Sequence, residues 1–411
     1  MSTSKTIKRL VVCFGSIQLV TVLSVMNYRE KTRQDQNLQY ENYLLITPLF
    51  APQGQSEEFA ALIEKMARSI CTWEKVAYMP LEQKQAISQK VKQSGLSKVT
   101  DLVHALTGSQ HFDEIFLAHE YDFEDQLVMN LYQDAEKICY GNGIGVYTAQ
   151  SAFPKANLLR DSRNYLDFIY KSSKDKLREF LPRKRSLSEQ KLDIGYFSLP
   201  FAFGQEPAIP TIILDRDVYR ETFQKLSAKL SEFIDISYIE NLRDRIQTAS
   251  TSILLTSNFS ESGRISPENE IAAYREFLVT RGIRPDEVLL IKPHPRNSRE
   301  KLLQLKSNLS ALYANVILLA EDFLFYLPFE LIFMEVFLNT DLKNLQNPRV
   351  FTFSSACLTL EFVLDTRCTL GFGSDIVQQF FYPDHVESRS QHEADLLSTI
   401  QKIRNLNSVL V

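Results

Sequence analysis

Short apolar runs alternate with amphipathic segments along nearly the whole chain, and this alternation limits the accessible folds more than any other feature. The strand-like runs Arg9–Phe14, Asn42–Thr47, Lys75–Tyr78, Glu114–Leu117 and Lys137–Cys139 are separated by helical stretches such as Ser56–Ser69 and Leu81–Val91. Such a pattern implies βαβ units and a mostly parallel sheet, because a crossover must return the chain before the next strand starts. A basic, mainly helical stretch runs to about Glu189. The alternation then resumes at Ile194–Ser198, Thr211–Leu214, Ser252–Thr256, Glu287–Ile291, Val316–Leu319, Arg349–Phe353 and Cys368–Gly371. The expected fold is α/β, with two Rossmann-like domains whose sheets face a central cleft. Residues 1–189 form the first domain, with the basic connector over about 150–189; residues 190–390 form the second, and 391–411 a closing helix.

With 411 residues, 44% hydrophobic and 23% charged, the chain is long enough and apolar enough for two cores. Its five cysteines, Cys13, Cys71, Cys139, Cys357 and Cys368, are scattered without CxxC or Cys/His spacing. Neither a disulfide framework nor a metal site is expected, and a reducing, cytoplasmic setting is. The apolar run Leu10–Met26 behind Lys5, Lys8 and Arg9 imitates a signal peptide or anchor. Gly15-Ser16 interrupts it, and Gln18 with the two serines, Ser16 and Ser24, would be poorly placed in lipid, so it reads as strand, turn and helix. The net charge of −4 conceals a basic window, since Lys155–Arg185 carries ten Lys/Arg against Asp161, Asp167, Asp175 and Glu179. That stripe suits a polyanion, a membrane surface or nucleic acid, or else is a solvated helix face.

Five loops carry candidate chemistry. Lys292-Pro-His294-Pro295-Arg296 follows the apolar run Glu287–Ile291, and its prolines exclude His294 from a helix or a paired central strand. At a strand's carboxyl end, the usual ligand edge of an open α/β sheet, the motif offers an imidazole and two cations to an anion. Ser354-Ser355 stands between a strand and the apolar helix Leu358–Leu364, which offers hydroxyls and helix N-terminal N–H groups to a phosphate, or a plain N-cap. Glu330, in Leu-Pro-Phe-Glu at a helix start, can accept a ribose hydroxyl or complement the helix dipole. Ser257 and Asn258 head a polar loop after Ser252–Thr256 that could line a nucleotide pocket or simply turn. Tyr140-Gly141-Asn142-Gly143-Ile144-Gly145-Val146-Tyr147 lets the backbone turn sharply and approach a ligand, without being GxGxxG.

Taken together, these residues resemble the bacterial sialyltransferases that carry Lys-Pro-His-Pro and Ser-Ser motifs, and are most similar to the alpha-2,8-polysialyltransferase-like family. The supports are Leu10–Leu19, the Tyr140–Tyr147 loop, Leu254–Phe259, Lys292–Pro295, Leu327–Glu330 and Ser354-Ser355. The resemblance implies a GT-B arrangement and inverting, metal-independent transfer of sialic acid, or a related nonulosonic acid, from a CMP donor, with no cofactor. His294 would assist CMP departure. Lys292, Pro295, Glu330, Ser354, Ser355, Ser257 and Asn258 would bind the donor, and Gly141, Gly143, Gly145, Arg183, Lys184 and Arg185 would lie on the acceptor side. The partners implied are the CMP-sugar and a glycan or glycolipid acceptor, anionic if the basic stripe binds it, with peripheral attachment at the inner membrane face and no nucleic acid; capsule or surface polysaccharide synthesis is the implied setting. The resemblance departs at Asn142, which stands where the family has its acidic base, and an amide accepts no proton. Glu120, Asp122 and Glu124 are the nearest stand-ins. Alternatively the protein is a lapsed CMP-sugar or glycan binder, or a CDP-polyol phosphotransferase.

If the basic stripe holds an anionic acceptor, reversing Arg183, Lys184 and Arg185 to Glu should raise acceptor KM in a salt-dependent way and leave donor KM unchanged. Initial rates at two ionic strengths check this.

Overall fold

The computed structural model describes residues 5–33, 37–47, 54–154, 187–204, 206–246, 250–320, 322–338 and 348–409. Arg183, Lys184 and Arg185 lie outside the described residues. The chain divides into two compact units, Met1–Leu49 with Ile70–Tyr219, and Phe50–Ser69 with Arg220–Val411.

The first unit is built on seven parallel strands: β1 (Lys5–Cys13), β2 (Leu38–Ile46), β3 (Lys75–Tyr78), β4 (Glu114–Leu117), β5 (Glu136–Cys139), β6 (Ile194–Phe197) and β7 (Thr211–Ile213). Their order is β3-β2-β1-β4-β5-β6-β7, so the strand order reverses between β1 and β4. The last two strands correct the sequence reading, which assigned them to the second series. β6 pairs in parallel with β5 and extends the first sheet. Alternation alone cannot say which sheet a strand joins, because pairing is decided by long-range contacts.

The anchor-like run resolves into β1 and the helix Ser16–Thr32, which is buried along most of its length, including Gln18, Thr21 and Ser24. A helix buried on nearly every side needs no polar face, and this is why its sequence looks lipid-like. Among the described residues no helix is long and apolar enough to cross a membrane.

The second unit carries β8 (Thr251–Leu255), β9 (Val288–Lys292), β10 (Asn315–Leu318), β11 (Arg349–Thr352) and β12 (Cys368–Leu370), all parallel. The order β10-β9-β8-β11-β12 again reverses beside the first strand, between β8 and β11. The register puts Lys292, Leu255, Thr352 and Leu370 in one row across four strands. The expected closing helix is the end of a longer one, Pro383–Val409.

A buried ionic cluster joins β1, β4 and the first helix. Glu114, 3% exposed, takes Arg9 Nε at 2.9 Å and Arg29 Nη2 and Arg33 Nη1 at 2.6 Å each. Removing its carboxylate would leave two buried guanidiniums with only the half-exposed Glu30 and Glu136 as ion-pair partners. Glu114→Ala should therefore cost about 3–5 kcal/mol, whereas Glu64→Ala, which breaks an exposed pair with Arg68 at 2.8 Å, should cost under about 0.5 kcal/mol. Urea denaturation of both variants tests the difference.

Candidate functional site

In the second unit, the three loops leaving the Lys292–Leu255–Thr352 row hold most of the candidate donor residues. His294, Ser257 and Ser354 each follow that row by two residues on adjacent strands. Neighbouring parallel strands lie about 4.8 Å apart, which separates the ends of β9 and β11 by roughly 10 Å. Two side chains reaching inward from that separation can meet one phosphate.

The His294 loop is fixed by side chains that sequence reasoning passed over. Asn297, buried directly after the motif, accepts the His294 backbone N–H at 2.9 Å and the Thr256 hydroxyl at 2.8 Å, and donates to the Ser257 carbonyl at 2.8 Å. Thr256 Oγ1 accepts the same His294 N–H at 3.1 Å. The Arg296 backbone N–H donates to His294 Nδ1 at 3.1 Å, so the neutral ring carries its proton on Nε2. Burial, then Arg296, pulls the His294 pKa down to about 4. At neutral pH the free protein thus presents a neutral imidazole with an N–H donor at Nε2.

Lys292 also differs from expectation. It is buried, with Nζ donating to the Phe325 carbonyl at 2.6 Å, and burial pulls its pKa down to about 7 against the opposing pull of Glu330. Glu330 sits in the first turn of the helix Phe329–Phe333, and burial pushes its carboxyl up to about 7 while its own backbone N–H, the Thr359 hydroxyl and Lys292 hold it lower. Lys292 and Glu330 are therefore a buried, mutually compensating pair behind the motif, which supplies less fixed charge at the ligand edge than two exposed ions would. Pro295 is half-buried and Arg296 exposed.

Ser354 and Ser355 are half-buried, and Ser355 caps the helix Ala356–Val363 without a side-chain cap bond. Among the described residues neither hydroxyl has a hydrogen-bond partner, which leaves both to a ligand. Their loop is steadied from below by the buried Arg389, whose Nη1 donates to the Phe353 carbonyl at 3.0 Å and whose Nε pairs with Glu393 at 2.8 Å. Ser257 is buried with its N–H donated to the Tyr274 hydroxyl at 2.8 Å, and Asn258 is half-buried beside it.

In the first unit, the Tyr140–Tyr147 loop follows β5. Gly141 has φ +81°, and a Cβ there would meet the Tyr147 ring at 2.7 Å, so only glycine fits. Gly143 and Gly145 also take positive φ. The Asn142 amide is engaged: its Oδ1 accepts the Thr148 hydroxyl at 2.5 Å, and its backbone carbonyl accepts from Gln18 Nε2 at 2.5 Å.

At the end of β4 the chain places a group that the sequence did not single out. His119 is fully buried, stacked on Tyr121 at 3.8 Å and on Phe14 at 5.3 Å. Its Nδ1 lies 2.7 Å from Asp125 Oδ2 and its Nε2 lies 3.5 Å from Asp122 Oδ2. Burial alone would lower the His119 pKa, but Asp125 first, then Asp122 and Glu120, raise it. Burial pushes Asp125 up to about 6. One ligand atom from each of His119, Asp122 and Asp125 lies within 4.8 Å of the others, a set that could hold a metal ion. The carboxylates, however, approach opposite ring nitrogens, unlike three donors converging on one ion, and neither ring nitrogen has a hydrogen-bond partner among the described residues. A histidine directly before Glu120 at a strand end was the only signal in the sequence.

The model of the alpha-2,8-polysialyltransferase (POLYST) family matches residues 9–336. That span contains Asn142, His294 and Glu330 and ends before Ser354. No curated protein matches the chain. Among solved structures, S. aureus MnaA in its UDP co-structure is similar with TM-score 0.45 and 11% identity, over 92% of this chain and 82% of that one. The UDP-GlcNAc 2-epimerase from Neisseria meningitidis bound to UDP-GlcNAc gives 0.46 and 12%, over 85% and 78%. The UDP-GlcNAc 2-epimerase from Methanocaldococcus jannaschii gives 0.40 and 10%, over 96% and 92%.

Since Asn297 ties His294 into its half-buried position, Asn297→Ala should cost about 1–3 kcal/mol through the polar groups it strands. It should also raise the His294 pKa from about 4 toward the ordinary 6.5. Imidazole NMR titration and denaturation of the variant read both.

Proposed function

For a chain that belongs to the alpha-2,8-polysialyltransferase family, we propose inverting, metal-independent transfer of sialic acid, or a related nonulosonic acid, from a CMP donor to a glycan. The observation that carries this reading is the shared register of His294, Ser257 and Ser354 at the switch-point edge of the second sheet. Nucleotide phosphates bind at such edges in open α/β sheets.

In this reading the CMP phosphate is held between His294 and the two open serine hydroxyls. The His294 Nε2–H donates to a phosphate oxygen of the donor. As the bond from the anomeric carbon to that phosphate breaks, charge accumulates on the phosphate, and a donor already aimed at it stabilises the transition state more than the ground state. The growing charge also raises the His294 pKa, so the imidazole becomes able to bring a proton to the leaving group. Glu330, buried near the same edge, receives the ribose hydroxyls. The glycan acceptor belongs to the first unit, with Gly141, Gly143 and Gly145 allowing close backbone approach, and an anionic or lipid-linked acceptor would be held by Arg183, Lys184 and Arg185 at the inner membrane face.

A second reading is a lapsed CMP-sugar or glycan binder, and the engaged amide of Asn142 favours it. Release of CMP from CMP-sialic acid separates the two. Wild type should release CMP and His294→Ala should be at least about a hundredfold slower. No release by wild type favours the lapsed reading, and release that survives His294→Ala removes His294 from the mechanism.

The depressed His294 pKa gives a further expected outcome. If bound CMP raises that pKa above the working pH, binding takes up a proton, and affinity falls as pH rises from about 4 toward the bound value. CMP itself titrates near pH 6, so the quantity to read is the difference in proton uptake between wild type and His294→Ala, by calorimetry in buffers of differing ionisation enthalpy.

A further inference from the structure

Resting on that transfer reading, we propose that Arg389 and Glu393, one turn apart on the helix Pro383–Val409, are positioning residues for the donor phosphate. They act from behind the site: together they fix the loops that leave β8, β11 and β12, and so set how tightly those loops hold CMP.

A phosphate site made of hydroxyls and backbone N–H groups depends on those dipoles being aimed before the anion arrives. The Ser354-Ser355 turn does little of this aiming for itself. The Ser354 N–H reaches Thr352 Oγ1 only at 3.4 Å, and the Ser354 carbonyl is met by Cys357 N at 3.4 Å and Cys357 Sγ at 3.1 Å. All three are weak bonds, by length or by donor. The firmer hold comes from outside the turn, where Arg389 Nη1 donates to the Phe353 carbonyl at 3.0 Å. That carbonyl shares a planar peptide unit with the Ser354 N–H, so fixing one fixes the direction of the other.

The same guanidinium serves the neighbouring loops. It lies 4.7 Å from the centre of the Phe259 ring, directly after Ser257-Asn258, and 6.0 Å from that of Phe372, after β12. Arg389 Nε donates to Glu393 Oε1 at 2.8 Å, and the carboxylate accepts the N–H groups of Phe372 at 3.0 Å and Gly373 at 3.1 Å. Gly371 makes room for this carboxylate: its φ is +79°, and a Cβ there would stand 2.5 Å from Glu393 Oε2. β8, β11 and β12 are consecutive in the sheet, so one buried ion pair joins three adjacent loops of the ligand edge. Such a pair contributes little stability over a well-packed apolar one. What the planar guanidinium adds is direction, because its fork holds a carbonyl and a carboxylate at fixed angles.

Arg404, on the same helix, supplies the control. It pairs with Glu361 Oε2 through Nε at 2.9 Å and donates to the Cys368 carbonyl at 3.2 Å, where β12 begins and not where it ends. It docks the helix without bonding a ligand-edge loop.

Calorimetry with CMP and initial rates of CMP release from CMP-sialic acid, both on the full chain, test the assignment. Arg389→Lys, which keeps the charge and loses the fork, should raise CMP Kd and donor KM about ten- to a hundredfold. Its kcat should stay within about threefold of wild type, a split that general loss of structure would not give. Arg404→Lys should leave all three within about twofold. Without ligand, the amides of residues 353–358 should exchange hydrogen faster in Arg389→Lys than in wild type or Arg404→Lys. Glu393→Gln should move Kd and exchange in the same direction, and it replaces Arg389→Lys if that variant does not fold. An unchanged Kd in Arg389→Lys, an equal rise in Arg404→Lys, or unchanged exchange at 353–358 overturns the assignment and leaves the transfer reading intact. If wild type binds no CMP, both fall together.

Discussion

Parallel pairing gathers the chemistry of this protein, because it places the carboxyl ends of all strands in a sheet on one edge. Each strand must be followed by a crossover before the next can enter in the same direction, so every loop at that edge opens toward a helix N-terminus or a turn. In the second unit that rule brings His294, Ser257 and Ser354 from distant parts of the chain into a common register. In the first unit it sets Phe14, His119 and Asn142 beyond three neighbouring strands. The chain reverses its strand order once in each sheet, and each reversal leaves a gap between outgoing crossovers, which is where a ligand can enter.

Burial then decides which charges are available at those edges. Lys292 looks like a cation for phosphate, but its ammonium is spent on the Phe325 carbonyl and balanced by Glu330 in the interior. His294 looks like a ready cation beside Lys292 and Arg296, but desolvation and Arg296 keep its ring neutral. The helix dipole and two open hydroxyls at Ser354-Ser355 supply attraction without a buried net charge. In the proposed reading, a phosphate arriving beside this neutral imidazole would raise its pKa, which would link donor occupancy to proton uptake.

The residues differ in how far they could be read without coordinates. The strands were legible because short apolar runs bounded by turn residues have few alternatives, and the motif histidine was legible because prolines exclude other placements. β6 and β7 were assigned to the wrong sheet, since a strand's apolar pattern is the same whichever neighbour it pairs with. Asn297 and Arg389 were passed over because each acts through a backbone contact with the site, and no spacing rule announces such contacts. Glu120, Asp122, Glu124 and Asp125 form a run of acids that reads as a helix surface, and only burial separates the ion-paired Glu124 and the Asp125 beside His119 from the solvent-reaching Asp122.

The sequence by itself determined the α/β class, the ends of most strands, the glycine that Tyr147 requires at 141 and the absence of a carboxylate at 142. Those are local matters of periodicity, backbone freedom and side-chain chemistry, and they are settled within a few residues. The tertiary structure alone decided the strand order, the neutral state of His294, the withdrawal of Lys292 and the burial of His119 between Asp122 and Asp125. Each depends on which distant atoms exclude water from a group or stand opposite it, and desolvation and Coulomb forces act through space and not along the chain.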